Sequence, residues 1–402
     1  MLIVKKFGGS SVADKERIFN VARRVSEDYK AGHDVVVVLS AMGKTTDGLI
    51  AQAREINPKA PKREMDMLLT CGEQMSVALM AMALHSLGLP AVSLNAWQVA
   101  MHTSSAYGNA RLKNIDCERI TAELESRRIV IVTGFQGINK YDDYTTLGRG
   151  GSDTTAVALA AALHADMCEI YTDVEGVYTA DPRIVPNARK LKEITYDEML
   201  ELATLGAKVL HNRSVEMAKK FGVWLVVRSS LNEAEGTVVK EVSKMEKMLV
   251  SGVAADKNVA RIAVIGLKDV PGVAFSLFNL ISKNNINVDL ILQSIGRSGT
   301  KDISFTVASE NVDDVLKVLS ENKAGLSFHD VDVRMDVAKV SIVGAGMMSN
   351  PGVACRMFEA LYDAGINIRM ISTSEIKISV LIDQELTEKA MVSIHDKFHL
   401  AE

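Results

Sequence analysis

The sequence predicts an α/β protein: a mostly parallel sheet sandwiched by helices, followed by two copies of a small βαββαβ module. Three observations carry this. Strand-like and helix-like periods alternate from the start of the chain to about Lys240. Runs such as "DVVVVLS" are continuously apolar, the composition of parallel strands covered on both faces. The last third of the chain repeats itself: "VARIAVIGLKDVPGVAFSLFNLISKNNINVDLI", from 259, matches "VAKVSIVGAGMMSNPGVACRMFEALYDAGINIRMI", from 337, and Gly272 corresponds to Gly352.

The elements follow in order. "LIVKKF" is a strand, and "DKERIFNVARRVSEDYKAG" is a periodic helix with a Gly stop. The strand "DVVVVLS" precedes "REMDMLLTCGEQMSVALMAMALHSLG", helical by length and composition. Then come the strand "AVSLN", a helix around "CERITAELESR", the strand "IVIVTGF", the helix "SDTTAVALAAALHA" and the strand "DMCEIYTD". A helix around "AKVLHNRSVEMAKKFG" and the strand "VWLVVRSS" close the series. Repeated βα units imply a parallel sheet that binds ligands at the carboxyl ends of its strands. The charged stretch "EAEGTVVKEVSKMEKM" marks a boundary. Each repeat adds a strand and a helix, "DISFTVAS" with "VDDVLKVL" and "EIKISVLID" with "TEKAMVSIHDKF", the ferredoxin-like plan. "EKMLVSGVAADK", 246–257, holds one strand more than the first repeat needs and is expected to complete the second. The expected domains are 1–240, a linker with that strand at 241–258, and modules at 259–336 and 337–402. A small module duplicated after a larger α/β domain suggests regulation; a dimerisation scaffold is the alternative.

The net charge of −4 gives no electrostatic case for nucleic acid or an anionic membrane. The N-terminus lacks a signal-peptide core, and the longest apolar runs are strand-sized, so no membrane span is expected. Cys71, Cys117, Cys168 and Cys355 are far apart, without a CxxC pair. That argues against a local zinc site or a disulfide framework, fits a reducing cytoplasm, and reads as four buried small hydrophobes.

The strand tips carry the chemistry. After the first strand, "KKFGGSS" offers a lysine, hydroxyls, and glycines whose backbone N–H groups can approach an anion; phosphate is the obvious guest, a tight turn the alternative. "SAMGKTT" only mimics a P-loop, since Val38 occupies the place of its first glycine. "TTLGRGGSDTT" runs a Gly-rich loop with Arg149 into Ser152-Asp153-Thr154, the residue types that open a helix, and Arg149 there suits a carboxylate or phosphate. In "YTDVEGVYTADPRIV", Thr172 and Asp173 stand at a strand tip, Tyr178 can flank an adenine, and Arg183 can reach a polyphosphate; an ordinary loop is the alternative. Glu73 is a charge inside an apolar helical run, which calls for a cationic partner or a surface kink beside Gly72.

Together "VKKFGGSSVAD", "VVVLSAMGKTTD", "LLTCGEQMS", "GFQGIN", "TTLGRGGSDTTAVALAAALHAD", "EIYTDVEGVYTADPRIV" and "EMLELATLGAKVLH" resemble the aspartokinases of the amino acid kinase superfamily, and the duplication resembles their tandem ACT domains. The resemblance spans essentially the whole chain. It implies an amino acid kinase-type sheet followed by two ACT modules, and Mg2+-dependent phosphoryl transfer from ATP to the β-carboxylate of aspartate. It implies Lys6 on the transferred group, with Phe7, Gly8, Gly9 and Ser10 beside it and Lys5 as a flanking extra. Ser40, Thr45, Thr46, Glu73, Arg149, Ser152 and Asp153 match aspartate-binding positions, Glu73 and Asp153 facing the ammonium and Arg149 the α-carboxylate. Thr172, Asp173, Tyr178, Asp181, Arg183 and Lys208 match the nucleotide side. Lys6, Arg149, Asp153 and Lys208 are the expected catalytic set, and no protein metal ligand is assigned. Feedback by lysine, threonine or both would act at Asp269, Ala274, Asn287, Val288, Asp289 and Gln293 in the first repeat. In the second it would act at Ala354, Cys355, Asn367, Ile368, Glu375 and Ile376. A homo-oligomer through the ACT modules is expected, and an internal start at Met245 or Met248 would yield a separate regulatory subunit. A related kinase acting on acetylglutamate, glutamate, carbamate or UMP, or an inactive amino-acid sensor, are the rival readings.

Overall fold

The structure, a computed structural model, describes residues 1–205, 209–241, 249–294, 296 and 298–402. Lys208, Met245 and Met248 lie outside the described residues. The chain divides into two compact units. One holds Met1–Val177, Lys190–Ala203 and Lys208–Glu246; the other holds Tyr178–Arg189, Thr204–Ala207 and Lys247–Glu402.

The first unit begins β1 (Leu2–Phe7), α1 (Lys15–Lys30), β2 (Asp34–Leu39), α2 (Thr45–Ile56), α3 (Lys62–Ser86) and β3 (Ala91–Leu94). It continues β4 (His102–Thr103), β5 (Leu112–Asn114), α4 (Glu118–Glu125), β6 (Ile129–Thr133), β7 (Gln136–Ile138) and β8 (Tyr144–Thr146). It ends α5 (Gly151–Ala162), β9 (Met167–Thr172), β10 (Glu193–Thr195), α6 (Tyr196–Thr204), α7 (Asn212–Phe221), β11 (Leu225–Ser229) and β12 (Thr237–Lys240).

Eight strands form one sheet in the order β10-β12-β11-β9-β1-β2-β6-β3. From β11 to β3 every neighbour is parallel, with Leu2 opposite Asp34 and Ile3 opposite Met167. Val35–Leu39 and Ile129–Val132 are wholly buried, because helices cover both faces. α1 shows the usual amphipathic pattern: Ile18, Val21, Ala22 and Val25 face the core, and Asp14 caps its start by accepting from the Arg17 N–H at 2.9 Å. α5 differs, being buried from Gly151 to Ala160 on every side, a core helix without a polar face.

α3 corrects one expectation. By length and composition it is apolar enough to cross a membrane, the only such helix among the described residues. Its apolar face instead fills the core of this unit, with Leu69, Val77, Met80 and Leu84 buried. Its buried Asp66 accepts from the N–H groups of Gly108 and Thr146 and from Thr146 Oγ1, at 2.8–2.9 Å.

The second unit contains β13 (Gly252–Asp256), β14 (Ala260–Lys268), α8 (Val273–Lys283), β15 (Ile291–Gln293), β16 (Thr300–Val307), α9 (Val312–Glu321), α10 (Lys323–Leu326) and β17 (Asp330–Arg334). β18 (Val337–Val343), α11 (Val353–Asp363), β19 (Met370–Thr373), β20 (Lys377–Asp383) and α12 (Thr387–Lys397) complete it. Two antiparallel sheets result, β15-β16-β14-β17 and β13-β18-β20-β19. β13 precedes the first module in sequence but pairs with the second, Gly252 opposite Val343 and Asp256 opposite Lys339.

Candidate active site

Side chains alternate along β1, so its two lysines leave the sheet on opposite faces. Lys6 Nζ lies 2.6 Å from Asp153 Oδ1, both side chains largely buried. Asp153 stands in the first turn of α5, whose N-cap is Gly150 at φ +67°. A Cβ on Gly150 would sit 2.3 Å from His211 Cγ, so glycine alone lets the "GRGGSD" loop turn past that imidazole. Ser40 Oγ, just beyond β2, donates to Ser152 Oγ at 2.9 Å. Ser76 Oγ in turn donates to the Ser40 carbonyl at 2.8 Å. At the tip of β1, a Cβ on Gly9 would meet the Ala41 carbonyl at 2.6 Å, so the Gly-Gly pair lets the 41–43 loop close on this strand.

Glu73 completes the group. Its Oε1 accepts the Ala41 N–H at 3.0 Å, while Oε2 is buried with no hydrogen-bond partner among the described residues. Burial pushes this carboxyl up to about 7, against the pull of the Ala41 N–H. Lys6, Asp153, Ser152, Ser40 and Glu73 thus form one continuous polar strip. Thr45 Oγ1 donates to the Met42 carbonyl at 2.7 Å, opening α2, and Thr46 follows half-buried. Arg149 is exposed just before Gly150.

The expected nucleotide residues are divided. The Phe7 ring is buried and stacks on Tyr171, with centroids 4.4 Å apart, so its ring is committed to the core. Gly8 lies beside Lys6 Nζ, and the Ser10 carbonyl accepts from Arg17 Nη1 at 2.5 Å. Thr172 Oγ1 donates to Asp173 Oδ1 at 3.1 Å, and Asp173 is exposed. Tyr178, Asp181 and Arg183 belong to a segment of the second unit. There Arg183 pairs with Asp181 at 2.6 Å, and its hydrogen bonds hold that carboxyl below the usual range. Lys208 lies outside the described residues.

Three features went unread in the sequence. Lys5 is not a flanking extra but the centre of a buried network: its Nζ lies 2.5 Å from Asp28, 2.6 Å from Glu169 and 3.2 Å from Tyr171 Oη. Burial would lower its pKa, yet Glu169, Tyr171 and Asp28 together hold it above the ordinary lysine value. Arg228 pairs with the other oxygen of Glu169 at 2.9 Å. Ser11 Oγ donates to Ser230 Oγ at 2.8 Å, linking the tips of β1 and β11. His211 packs on Gly150, and burial lowers its pKa. The alternation of β1 was the signal available for Lys5; nothing local announced the other two.

The expected effector positions also fall into groups. Asp269 pairs with Lys301 at 3.0 Å, and Asp289 pairs with the buried Lys339. Ala274 packs against the core of the first module, Val288 is half-buried, and Asn287 and Gln293 are exposed. In the second module a cavity of about 530 Å3 is lined by Met347, Asn350, Gly352, Val353, Ala354, Thr373, Ser374, Glu375 and Ile378. It takes in Ala354 and Glu375 but not Cys355, Asn367, Ile368 or Ile376. The cysteines need correcting as well. All four are free thiols, and Cys168 is buried, but Cys71 and Cys355 are exposed on helices and Cys117 is half-buried.

The sequence profile of the amino acid kinase family matches residues 1–229, and the ACT domain profile matches 262–322 and 340–398. An aspartokinase of Geobacillus stearothermophilus is 53% identical over 402 residues, covering 100% of this chain and 98% of the relative. An aspartokinase of Bacillus sp. strain MGA3 is 51% identical over 401 residues, with the same coverage. The chain belongs to the aspartokinase family. E. coli aspartokinase III, crystallised with aspartate and ADP in the R-state, matches at a TM-score of 0.83 and 28% identity, over 99% of each chain. The same aspartokinase with lysine and aspartate, in the T-state, matches at 0.78 and 28%, again over 99% of each. The aspartokinase fold therefore accounts for both units, the parallel sheet as the amino acid kinase part and the antiparallel sheets as the ACT part.

Proposed function

We propose that the enzyme transfers the γ-phosphoryl group of ATP to the β-carboxylate of L-aspartate, giving 4-phospho-L-aspartate and ADP. The observation that carries this is Glu73 Oε2, a buried carboxylate oxygen without a partner among the described residues, at one end of a strip that ends in Lys6. A buried acid left unpaired is costly. The ammonium of an amino acid supplies the missing partner, Asp153 a second acid, and the exposed Arg149 a bidentate site for the α-carboxylate. Ser40, Thr45, Thr46 and Ser152 flank the bound amino acid. Lys6, the backbone of Gly8 and Gly9, and Ser10 serve the phosphates. Thr172, Asp173, Tyr178, Asp181, Arg183 and Lys208 serve the rest of the nucleotide. The E. coli relative's complex with aspartate and ADP supports the choice of these two ligands.

An aspartate side chain, with a pKa of about 3.9, is already ionised at neutral pH, so no general base is required. The barrier is the approach of a carboxylate to a polyanion, and catalysis is positioning plus cationic screening. Lys6 is the described cation placed for this. When aspartate enters, Lys6 exchanges the Asp153 carboxylate for the transferring group. Mg2+ is implied by the reaction. Carried mainly by the nucleotide phosphates and their waters, its common state, it would need no cluster of protein ligands. When bound it adds positive charge at the transferring group.

Lysine, threonine or both act through the ACT modules, and the E. coli relative's lysine complex supports an amino-acid effector. In the second repeat the cavity beside Ala354 and Glu375 suits one, with Glu375 for its ammonium. In the first, Asp269 and Asp289 already hold Lys301 and Lys339, so an effector ammonium there competes with a lysine of the chain. The enzyme works in the cytoplasm as a homo-oligomer through its ACT modules, at the first step of lysine, threonine and methionine biosynthesis. Aspartate-dependent ADP release tests the reading. Glu73→Gln is expected to raise the aspartate KM while the ATP KM stays within about twofold. An equal rise in both, or ATP turnover indifferent to aspartate, would overturn it. Adding lysine, threonine and then both identifies the effector.

A further inference from the structure

Tyr178, Asp181 and Arg183 sit on a strap, Tyr178–Arg189, that belongs to the C-terminal unit, although the chain on either side of it belongs to the kinase unit. The strap is part of the hydrophobic core of the second ACT module. Ala180 and Val185 are buried in one cluster with Val253, Val340, Met357, Ile378 and Ile394. Its polar anchor is Thr179. The Val253 N–H donates to the Thr179 carbonyl at 2.7 Å, which attaches the strap to β13. The Thr179 N–H donates to the Arg189 carbonyl, and the Arg189 N–H donates to Thr179 Oγ1, both at 2.9 Å, tying the strap's two ends together.

Thr179 Oγ1 has a second partner, His395 Nε2 in α12, 2.9 Å away and fully buried. His395 Nδ1 is buried with no hydrogen-bond partner among the described residues, the nearest acid, Asp396 Oδ1, lying 3.9 Å off. Burial lowers the pKa of this ring. His395 Nε2 and Thr179 Oγ1 share this hydrogen bond whichever of the two carries the proton. An apolar side chain would fill the same volume without leaving Nδ1 unpaired. What the imidazole adds is one directed hydrogen bond across 216 residues of chain.

We propose that His395 is a positioning residue for ATP: through Thr179 it fixes the strap that carries Tyr178, Asp181 and Arg183. This rests on the nucleotide reading of those three residues.

The experiment is steady-state kinetics on the full chain, with ATP and aspartate varied separately, for His395→Leu, His395→Gln, Thr179→Val, Thr179→Ser and Arg183→Ala. Leucine at 395 is expected to raise the ATP KM about tenfold, within the range that misplacement of a binding group costs, and to leave the aspartate KM within about twofold. His395→Gln, whose amide can either donate or accept, restores most of the loss. If the leucine variant does not fold, the Thr179 pair carries the test: valine raises the ATP KM and serine does not. If Arg183→Ala raises the ATP KM while both the 395 and the 179 variants leave it unchanged, the positioning role is wrong and the nucleotide reading stands. If Arg183→Ala leaves the ATP KM unchanged, the nucleotide reading falls and the inference with it. A parallel rise in both KM values would reduce His395 to a packing residue and overturn the proposal.

Discussion

Lys5 and Lys6 are neighbours in one strand, yet their surroundings have opposite designs. On one face, Lys5 is enclosed by Asp28, Glu169 and Tyr171, and Arg228 satisfies the remaining oxygen of Glu169. Two cations and two acids balance, and both oxygens of Glu169 are paired, although Arg228 Nε has no hydrogen-bond partner among the described residues. On the other face, Lys6 has only Asp153 among the described residues, and the strip leading away from it ends in a carboxylate oxygen with no partner among them. A buried carboxylate whose oxygens are both paired rigidifies a fold, and one with an oxygen left open calls for an explanation, here a ligand. The contrast teaches how to tell a structural charge from a functional one when both are buried: look for an acidic oxygen left unpaired beside it.

The comparison is broken first at Lys6. Lys6→Ala removes the cation nearest the proposed transferring group, and the expected loss in kcat is about 10³ or more, on the scale of deleting a transition-state donor. Its circular dichroism and thermal midpoint should remain close to those of the parent. Near-normal turnover in a folded variant would place Lys6 with Lys5 as a structural group.

Lys5→Met should do the reverse. It leaves Glu169 and Asp28 facing Arg228 alone, and breaking a buried ion pair from one side costs about 3–5 kcal/mol. Urea denaturation should show that loss. Whatever protein remains folded should keep aspartate and ATP KM values close to the parent's. A stable Lys5→Met enzyme with a crippled kcat would mean that the two faces have been assigned the wrong way round.

The larger architecture was legible because its signals are periodic or repeated: continuous apolar runs for buried parallel strands, and a duplicated segment for the two modules. β4, β5, β7 and β8 were not, since strands of two or three residues contain no period to read. In the strip, Glu73 stood out as a charge inside an apolar helix, and Ser152 and Asp153 followed a Gly-rich loop that nothing helical explained. Which lysine faced which room was hidden, because Glu169 and Asp153 reach β1 from more than 140 residues away. The cysteines misled for a related reason. Composition says that a cysteine is buried on average, but Cys71 and Cys355 fall on the outer faces of their helices, which only packing decides. The assignment of Tyr178–Arg189 to the C-terminal unit is likewise tertiary, set by where Ala180 and Val185 find a core.

The open face can also be probed without touching a lysine. In the ligand-free protein the Glu73 carboxyl titrates at about 7, well above its ordinary value of 4.5, so the folded state holds this proton more tightly than the unfolded chain. The stability that the protonated group contributes is present below pH 4.5 and is lost as pH rises through 7. Above that the charged group costs up to about 3 kcal/mol, the size of the shift converted at 1.36 kcal/mol per unit. Glu73→Gln should therefore stabilise the ligand-free protein at pH 8 by up to that amount, read from its denaturant midpoint, and by almost nothing at pH 4.5.

The same titration yields the smallest and most specific expectation. A protonated Glu73 does not attract an ammonium group, so the aspartate KM should climb by up to about tenfold per pH unit below 7, while the ATP KM stays level. Glutamine at 73 should flatten that profile and leave it high throughout. A wild-type aspartate KM that stays constant from pH 8 to 5.5 would mean that the unpaired oxygen meets something other than the substrate's ammonium. The closed and open faces of β1 would then have to be told apart on kinetics alone.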